Sequence, residues 1–356
     1  MTRIVLIGAG HAHLEVLRQA HRFAAEGATL TLIEPGMFWY SGAATGLLAA
    51  ALPKDRVQID PDRVSSRYER IAERARAIDA DQRRVELESG QCVDFDILSI
   101  STGSQVAAHD LKGPGVLPAK PISNLLKARS LIETASGQLS LAVVGSGVTG
   151  VEIALNLAAL QRRLKADVQV TLIGPDPLLP GWPNTAAVEA EKALRAARVE
   201  RLKGRAVSRS GAMLSSDSGR SVQADLVIVA PGLRACLPSG LNPSDDGLPV
   251  GPDLAWVGGG HIFAAGDCAY LTHAPRPKLG VFGVRAAPVL VHNLLNAALG
   301  VPSRKLYHPQ SRWLSVIDLG DGRGLARYGR WSGASRLALG LKRLIDRRFV
   351  DRYQGD

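Results

Sequence analysis

Two glycine-rich loops carry the residue types and spacing that point most directly to chemistry. The first is Gly8-Ala9-Gly10-His11-Ala12-His13 and the second is Gly145-Ser146-Gly147-Val148-Thr149-Gly150. Each loop follows a short apolar segment and precedes a predicted helix, which is the context in which a glycine loop binds the pyrophosphate of a dinucleotide. One such loop is weak evidence. Two of them indicate two nucleotide sites that face each other, the arrangement needed to pass a hydride between two cofactors.

The elements that position these loops predict an α/β fold with two Rossmann-like dinucleotide-binding domains. The predicted elements of the first unit are strands at 3–7, 29–33, 84–87 and 93–98 and a helix at 11–26. The second unit begins near residue 141 and ends near 230, in an Asp-strand-Gly pattern that repeats the one before Gly103. We therefore expect a discontinuous first domain (1–110 and 236–303), a second domain (111–235) and a basic C-terminal segment (304–356).

Composition narrows the class of protein. The chain has 356 residues, 46% of them hydrophobic, and a net charge of +10. No apolar run approaches the roughly 18–20 residues of a membrane-spanning helix, and a strand predicted directly after Met1 leaves no room for a signal peptide, so a cytoplasmic protein is expected. The cysteines at 92, 236 and 268 form no CxxC pair, which argues against a disulfide framework or a metal cluster.

The positive charge is concentrated at the end of the chain, where residues 304–356 contain twelve Lys or Arg against five Asp. A nucleic-acid partner is not predicted, because the segment lacks interleaved aromatic residues for base stacking. A membrane surface and an anionic cofactor are alternative partners.

Several residues near the first loop are candidates for cofactor contacts. Glu34 ends the second strand, where a carboxylate accepts the hydroxyls of an adenosine ribose; a solvated surface glutamate is the alternative. His13 replaces the third glycine, so the helix must shift or the imidazole must point outward. His11 and His13 do not share a helix face, so we predict no metal site but a histidine that donates near the pyrophosphate. The aromatic and small residues at 38–46 predict a loop that lines a flavin, or else a simply packed loop.

Five segments carry a family resemblance: Gly10 to His13, Tyr40-Ser41-Gly42, Lys120-Pro121-Ile122, Gly280 to Arg285, and 341–349. With the two glycine loops, they make the chain resemble the pyridine-nucleotide–disulfide oxidoreductase superfamily, which has two dinucleotide-binding domains. Within it, the chain is most similar to type II NADH dehydrogenases and sulfide:quinone oxidoreductases, and closest to the flavin domain that is joined to selenide, water dikinase in some bacteria. The resemblance covers essentially the whole chain.

The resemblance implies FAD on the first loop and NAD(P)H on the second. Asp267 would bind the ribitol, and backbone N–H groups of the helix that begins near Gly280 would stabilise negative charge on the reduced flavin. The implied FAD-binding residues are Gly8, Gly10, His11, Ala12, His13, Glu34, Ser41, Gly42, Thr102, Gly103, Gly266, Asp267, Val281 and Phe282. The implied NAD(P)H-binding residues are Gly145, Gly147 and Gly150.

Three charged residues are candidate catalytic contributors under the same resemblance: Glu152 at the nicotinamide side, Lys120 near the flavin ring and Arg285 near its pyrimidine end. Each could equally be an ordinary ion-pair residue. The second strand of the second unit ends at Gly174 with neither the acid typical of NADH recognition nor an arginine cluster, and Asp176 stands two residues too late. Little discrimination between NADH and NADPH is therefore predicted, and a glutamate installed at 174 is expected to favour NADH.

Absent residues limit the substrate. The stretch at 41–48 has no redox-active cysteine pair, which excludes a disulfide reductase of this fold. Cys268 adjoins the pyrophosphate strand and Cys92 and Cys236 lie on peripheral elements, so sulfide chemistry is disfavoured. The glutamine pattern that lines the quinone site of type II NADH dehydrogenases is replaced by residues 284–288, which puts quinone in doubt as the acceptor.

The C-terminal helix has two interpretations. Helical spacing over 335–353 aligns apolar residues on one side: Leu337, Leu341, Leu344, Ile345 and Phe349. The cations Lys342, Arg343 and Arg347 fall elsewhere, whereas Arg348 and Arg352 would have to snorkel. The helix therefore lies in a membrane interface or packs on the FAD domain.

These observations predict an FAD-dependent oxidoreductase, an NAD(P)H dehydrogenase that passes electrons from a small-molecule donor to a quinone-like or unidentified small-molecule acceptor. One alternative is an FAD oxidoreductase that acts on a sulfur or selenium compound. The other is a flavin-binding sensor or partner module without turnover. The oligomeric state is not predicted.

Overall fold

The computed structural model describes residues 1–107, 109–244 and 246–354. In the first of these ranges the strands are β1 (Thr2–Ile7), β2 (Ala28–Ile33), β3 (Phe38–Trp39), β4 (Gln58–Ile59), β5 (Glu69–Ile71), β6 (Ala75–Asp79), β7 (Arg84–Leu87), β8 (Cys92–Asp94), β9 (Ile97–Ile100) and β10 (Ser104–Val106). The helices there are α1 (His11–Arg18), α2 (Ala20–Ala25), α3 (Ala44–Leu48) and α4 (Pro61–Val64), with 3₁₀ turns at Ser41–Ala43 and Lys54–Arg56.

The middle of the chain contains β11 (Val116–Pro118), α5 (Ser123–Thr134), β12 (Leu139–Val144), α6 (Val148–Leu164), β13 (Val168–Gly174), α7 (Asn184–Ala196), β14 (Glu200–Lys203), β15 (Ala206–Ser210), β16 (Met213–Ser216), β17 (Ser221–Gln223), β18 (Leu226–Val229) and β19 (Leu233–Ala235). The remaining elements are β20 (Leu248–Val250), β21 (Ile262–Ala264), β22 (Ala269–Leu271), α8 (Gly280–Ala298), β23 (Leu314–Asp318), β24 (Gly324–Tyr328), β25 (Trp331–Ser335) and α9 (Arg336–Asp351).

Two five-stranded parallel sheets form the centre of the protein, and their strand orders correspond. The first has the order β21-β9-β1-β2-β5 and the second β11-β18-β12-β13-β14. In the first sheet, β1 precedes the glycine loop and lies between β2 and β9. In the second sheet, β12 precedes the glycine loop and lies between β13 and β18. Each unit also carries a three-stranded antiparallel sheet, β6-β7-β8 or β15-β16-β17. The internal repeat inferred from the sequence is therefore present in the topology.

The strands predicted at 3–7, 29–33 and 84–87 are present as β1, β2 and β7, and two other predictions for the first unit need correction. The helix predicted over 11–26 is two helices that meet at Gln19. The strand predicted over 93–98 ends at Asp94, and β9 begins at Ile97 in a different sheet. The chain leaves the hairpin at Asp96, which binds Arg3 on β1 through the backbone N–H (2.7 Å) and the guanidinium (3.1 Å).

The C-terminal segment contacts both units. Ile317, Leu319 and Leu325 belong to the buried core of the second sheet. The guanidinium of Arg327 lies 5.7 Å from the ring of Trp182 and 5.5 Å from that of Trp313. The α9 residue Val350 packs instead on the first unit, in a small core with Leu14 and Ile59. Among the described residues, no helix is both long and apolar enough to cross a bilayer.

Candidate active site

The first glycine loop lies at the carboxyl end of β1, pressed against the end of β9. Gly8 has a φ of +83°, and its N–H donates to Ile33 (3.0 Å). A Cβ on Gly10 would meet the carbonyl oxygen of Ser101 at 2.3 Å, so only glycine permits this approach. Gly103 has a positive φ and nothing within 4 Å of its Cβ position. Gly8 and Gly10 thus allow the loop to pack closely on the end of β9, and Gly103 leaves open space beside it.

The imidazole of His13 points inward, so the prediction of an outward-pointing ring is wrong. The side chain is fully buried, with Nδ1 2.5 Å from the carbonyl oxygen of Gly8 and Nε2 2.8 Å from the hydroxyl of Ser99. Burial lowers the pKa of His13 to about 4, so the ring is neutral at pH 7. Nδ1 then donates to Gly8, and Ser99 donates to Nε2. His13, which stands where the glycine pattern has its third glycine, therefore stabilises the loop through hydrogen bonds to Gly8 and Ser99.

Glu34 lies beside this loop, as predicted for a ribose-binding carboxylate. Its Oε2 accepts from the N–H of Ala9 (3.2 Å), and its Oε1 accepts from the N–H of Gly36 (2.9 Å). The guanidinium of Arg70 donates to the backbone carbonyls of Glu34 (3.1 Å) and Gly36. Glu34 is therefore held by the backbone beside the loop and is not freely solvated, and its role in binding a ribose stays a prediction.

Lys120, Ser104 and Asp267, which are distant in sequence, form one polar cluster. The Lys120 ammonium donates to the Ser104 hydroxyl (2.7 Å), which donates to the Asp267 carboxylate (2.6 Å). Lys120 also lies 3.4 Å from Asp267, and both side chains are mostly enclosed. Burial lowers the pKa of the neighbouring His11 to about 4, against the attraction of Asp267. Ser104 was missed from the sequence because nothing in its local pattern sets it apart.

Helix α8 begins at Gly280, as predicted, and its first turn faces His11. A Cβ on Gly280 would lie 2.8 Å from the His11 ring, and one on Gly283 would lie 3.3 Å from the Cα of Gly266. A pocket adjoins this turn, and its lining includes Gly266, Asp267, Lys278, Phe282 and Tyr307. Val281 lies in the same turn.

Arg285 is exposed, and among the described residues it forms no ion pair or side-chain hydrogen bond. The structure therefore does not bring Arg285 into the cluster of Lys120 and Asp267.

Cys236 is closer to the site than its sequence position suggested. The Thr102 hydroxyl donates to its carbonyl, and its N–H donates to Gly103 (3.2 Å). The Cys268 thiol is buried, which raises its pKa.

The aromatic loop packs on α9 and His11. Tyr40 stacks on Phe349 with a ring-centroid distance of 4.5 Å, and His11 meets Phe38 edge-on at 4.8 Å. The next residues, Ser41 and Gly42, begin a 3₁₀ turn, and the Gly42 carbonyl accepts from Lys342. The interpretation that α9 packs on the first unit is therefore supported at Phe349. The other apolar residues of the predicted stripe are exposed instead: Leu337, Leu341, Leu344 and Ile345.

The second glycine loop is tightly packed at Gly150 and open at Gly147. A Cβ on Gly150 would meet the carbonyl oxygen of Gly145 at 1.8 Å, whereas a Cβ on Gly147 has nothing within 4 Å. Gly147 precedes the first turn of α6, so open space lies over the helix N-terminus. The suggestion of a glutamate at 174 is wrong, because a Cβ on Gly174 would lie 2.6 Å from the backbone nitrogen of Ser146. The strand end and the glycine loop touch there.

Glu152 lies on α6 under the C-terminal segment. Its Oε1 accepts from the N–H of Asp318 (2.9 Å). Burial raises the pKa of Glu152 to about 7, against the attraction of Lys342. Lys342 is itself held by Asp346 (2.8 Å), whose other oxygen accepts from the Tyr40 hydroxyl (2.9 Å). Sequence reasoning missed Lys342 and Asp346, since it placed them only on a surface helix.

The comparisons with known proteins agree with this geometry. The chain belongs to the pyridine nucleotide-disulphide oxidoreductase family, whose model matches residues 2–292. Rhodocoxin reductase from Rhodococcus erythropolis is 28% identical over 293 residues, covering 75% of this chain and 64% of that protein. An NADH dehydrogenase-like protein, YutJ of Bacillus subtilis, is 23% identical over 293 residues, covering 78% and 80%. The sulfide:quinone oxidoreductase structure from Aquifex aeolicus has a TM-score of 0.78 at 17% identity, covering 99% and 92%, which shows the fold alone.

Family membership confirms the predicted α/β fold with two dinucleotide-binding units and the predicted class, an oxidoreductase that uses FAD with NAD(P)H. Several relatives are, by their names, reductases of redox partner proteins, rhodocoxin reductase among them. The matched segment spans 56% to 64% of the length of several curated relatives, and so their activities and partners do not transfer directly.

Proposed function

We propose that the protein is an FAD-dependent NAD(P)H dehydrogenase. The observation that supports this proposal is the pair of equivalent parallel sheets, each presenting a glycine loop between the carboxyl end of a strand and the start of a helix. The first site would hold FAD through Gly8, Gly10, Glu34 and Asp267. The second would hold the nicotinamide nucleotide through the loop of Gly145, Gly147 and Gly150.

When bound, FAD accepts a hydride from the nicotinamide and releases the electrons to an acceptor. The chain contributes position and charge. Lys120, held by Ser104 and Asp267, keeps a cation fixed at the first site. The N-terminus of α8 adds the positive end of a helix dipole. Glu152, with a pKa of about 7, can hold or release a proton near neutral pH at its Oε atoms. Arg285, exposed near the start of α8, would lie toward the pyrimidine end of the flavin.

We further propose a place within the family: the type II NADH dehydrogenase-like branch, next to the flavin domain that occurs joined to selenide, water dikinase. Similarity to the NADH dehydrogenase-like protein of Bacillus subtilis supports the first part. The acceptor would be a quinone-like or another small molecule. A shallow cleft between α9 and the 3₁₀ turn, lined by residues that include Thr45, Asp318 and Lys342, is where such an acceptor could approach.

Membrane association through α9 completes the proposal. One face of α9 is packed, but four apolar residues are left at the surface, Leu337 at 85% exposure, with Leu341, Leu344 and Ile345. Arg336, Arg343, Arg347 and Arg348 are exposed around them. Apolar side chains bordered by cations suit an anionic lipid surface, with about 1 kcal/mol per nearby cation.

Steady-state oxidation of NADH and NADPH by the purified flavin-loaded protein, with an artificial acceptor, tests the proposal. Turnover with either nucleotide is expected, and FAD should be recovered on denaturation. Turnover with sulfide or selenide but neither nucleotide would favour the sulfur or selenium alternative. Bound FAD without turnover on any donor would leave a non-catalytic module. Lys120→Gln should lower turnover, whereas Lys127→Gln, a matched change on α5, should not.

A further inference from the structure

The edge of the second sheet next to the glycine loop carries cations that the sequence pattern did not reveal. β13 ends at Gly174, where no side chain fits because Ser146 fills the space. The next strand, β14, runs parallel to it, with Leu172 paired to Arg201 and Gly174 paired to Lys203. Lys203 therefore stands beside the position from which other Rossmann domains present the residue that recognises the adenosine ribose.

Asp176 follows that position by two residues, and both of its oxygens are already engaged. Oδ1 accepts from the Arg201 guanidinium, and Oδ2 lies 2.9 Å from the Lys203 ammonium. Arg201 is also paired with Glu191 at 3.0 Å and is largely enclosed, with 12% of its side chain exposed. Lys203 is 68% exposed. The Arg201 guanidinium is thus held in place, whereas the Lys203 ammonium is accessible to a ligand.

This arrangement differs from an NADH site. A carboxylate that recognises NADH offers free oxygens to the 2′- and 3′-hydroxyls and repels a 2′-phosphate. Here the carboxylate is neutralised by two cations, so the repulsion is removed. A phosphate dianion could replace Asp176 as the partner of Lys203 without leaving a buried charge unpaired, since Asp176 itself is half exposed.

We propose that this edge binds the 2′-phosphate of NADPH, with Lys203 as the specificity-determining residue and Arg201 as the fixed cation that positions Asp176. The proposal rests on the nucleotide site of the proposed function and names its donor. It also revises the expectation of weak discrimination. The cations were overlooked because they come from the neighbouring strand and not from the end of β13.

The test is equilibrium binding of 2′,5′-ADP and 5′-AMP to the purified protein by calorimetry, which reads the adenosine site without turnover. The wild type should bind 2′,5′-ADP at least about tenfold more tightly, equivalent to about 1.4 kcal/mol. Lys203→Gln should remove most of that preference and leave 5′-AMP binding unchanged. Lys192→Gln is the matched control, because Lys192 is similarly exposed (66%) and pairs with Glu189 on α7. Equal affinities in the wild type, or a preference that survives Lys203→Gln, would overturn the proposal.

Asp176→Asn separates the two roles of this edge. If the edge binds a phosphate, the variant should keep or strengthen 2′,5′-ADP binding, because a like charge is removed. If Asp176 instead accepts the ribose hydroxyls, the variant should lose affinity for 5′-AMP, and the proposal fails. Failure here differs from failure of the proposed function, in which neither NADH nor NADPH would be oxidised. A protein that oxidises both equally and binds both adenosine nucleotides equally refutes only the specificity.

Discussion

Replacing Gly147 by alanine isolates the nucleotide-binding property of the second loop from its folding. Gly147 has φ −75° and ψ −178°, which alanine adopts readily, and the added Cβ would meet no atom within 4 Å. At such a position Gly→Ala usually stabilises the fold by about 0.4–1 kcal/mol, since the unfolded chain loses freedom. We therefore expect an unchanged or slightly raised melting temperature.

Nucleotide binding should respond in the opposite direction. The methyl group would stand in the open space over the N-terminus of α6, where the pyrophosphate must approach the backbone. Loss of one charge-assisted hydrogen bond costs about 1.5–3 kcal/mol, so the Kd for NADPH should rise by roughly tenfold to a hundredfold. Fluorescence titration of variant and wild type measures it. Gly137→Ala, an exposed position with equally open space, is the control. Unchanged affinity in a folded Gly147→Ala protein would refute the assignment of the second loop.

Two further predictions concern α9 and the buried Glu152 of α6. Because the pKa of Glu152 is raised from 4.5 to about 7, its contribution to stability is full below pH 4.5 and is lost as pH rises to 7. Glu152→Gln should abolish a decline of up to about 3 kcal/mol in the unfolding free energy, measured by urea denaturation across that range; parallel curves for variant and wild type would contradict this. Leu341→Glu should abolish salt-sensitive binding to vesicles of anionic lipid and leave the melting temperature unchanged, whereas Phe349→Glu should lower the melting temperature by breaking the stack with Tyr40. Vesicle binding that persists in Leu341→Glu would rule out α9 as the lipid-binding element.

Local patterns were sufficient to predict the framework. Both glycine loops and the strands before them follow from short-range rules of spacing and turn chemistry, whereas the start of α8 near Gly280 was implied by the family resemblance. The position of Glu34 beside the first loop follows from the same rules. These features recur because a dinucleotide constrains the backbone itself.

What the sequence could not predict depends on contacts between distant segments. The inward orientation of the His13 side chain on α1 depends on Ser99, which lies on β9. The cluster of Lys120, Ser104 and Asp267 forms only when three segments meet. Phe349 shares a helical wheel with exposed leucines, yet it packs inward because Tyr40 and His11 offer a surface for it.

The second sheet illustrates the same limit. Gly174 looked like an empty position where an acid could be installed, but the space is filled by Ser146 of the glycine loop. The charged residues that take over that edge belong to β14, and only the parallel register of β13 and β14 brings Lys203 to it. Periodicity within one strand carries no information about the side chains of its neighbour.

Anaerobic mixing of the flavin-loaded protein with one equivalent of NADPH or NADH tests the central claim most directly. We predict that the visible absorbance of the oxidised flavin is lost in step with oxidation of the nucleotide, and that Gly147→Ala slows the loss at low nucleotide concentration. A flavin that dithionite reduces but that neither nucleotide reduces would contradict the account.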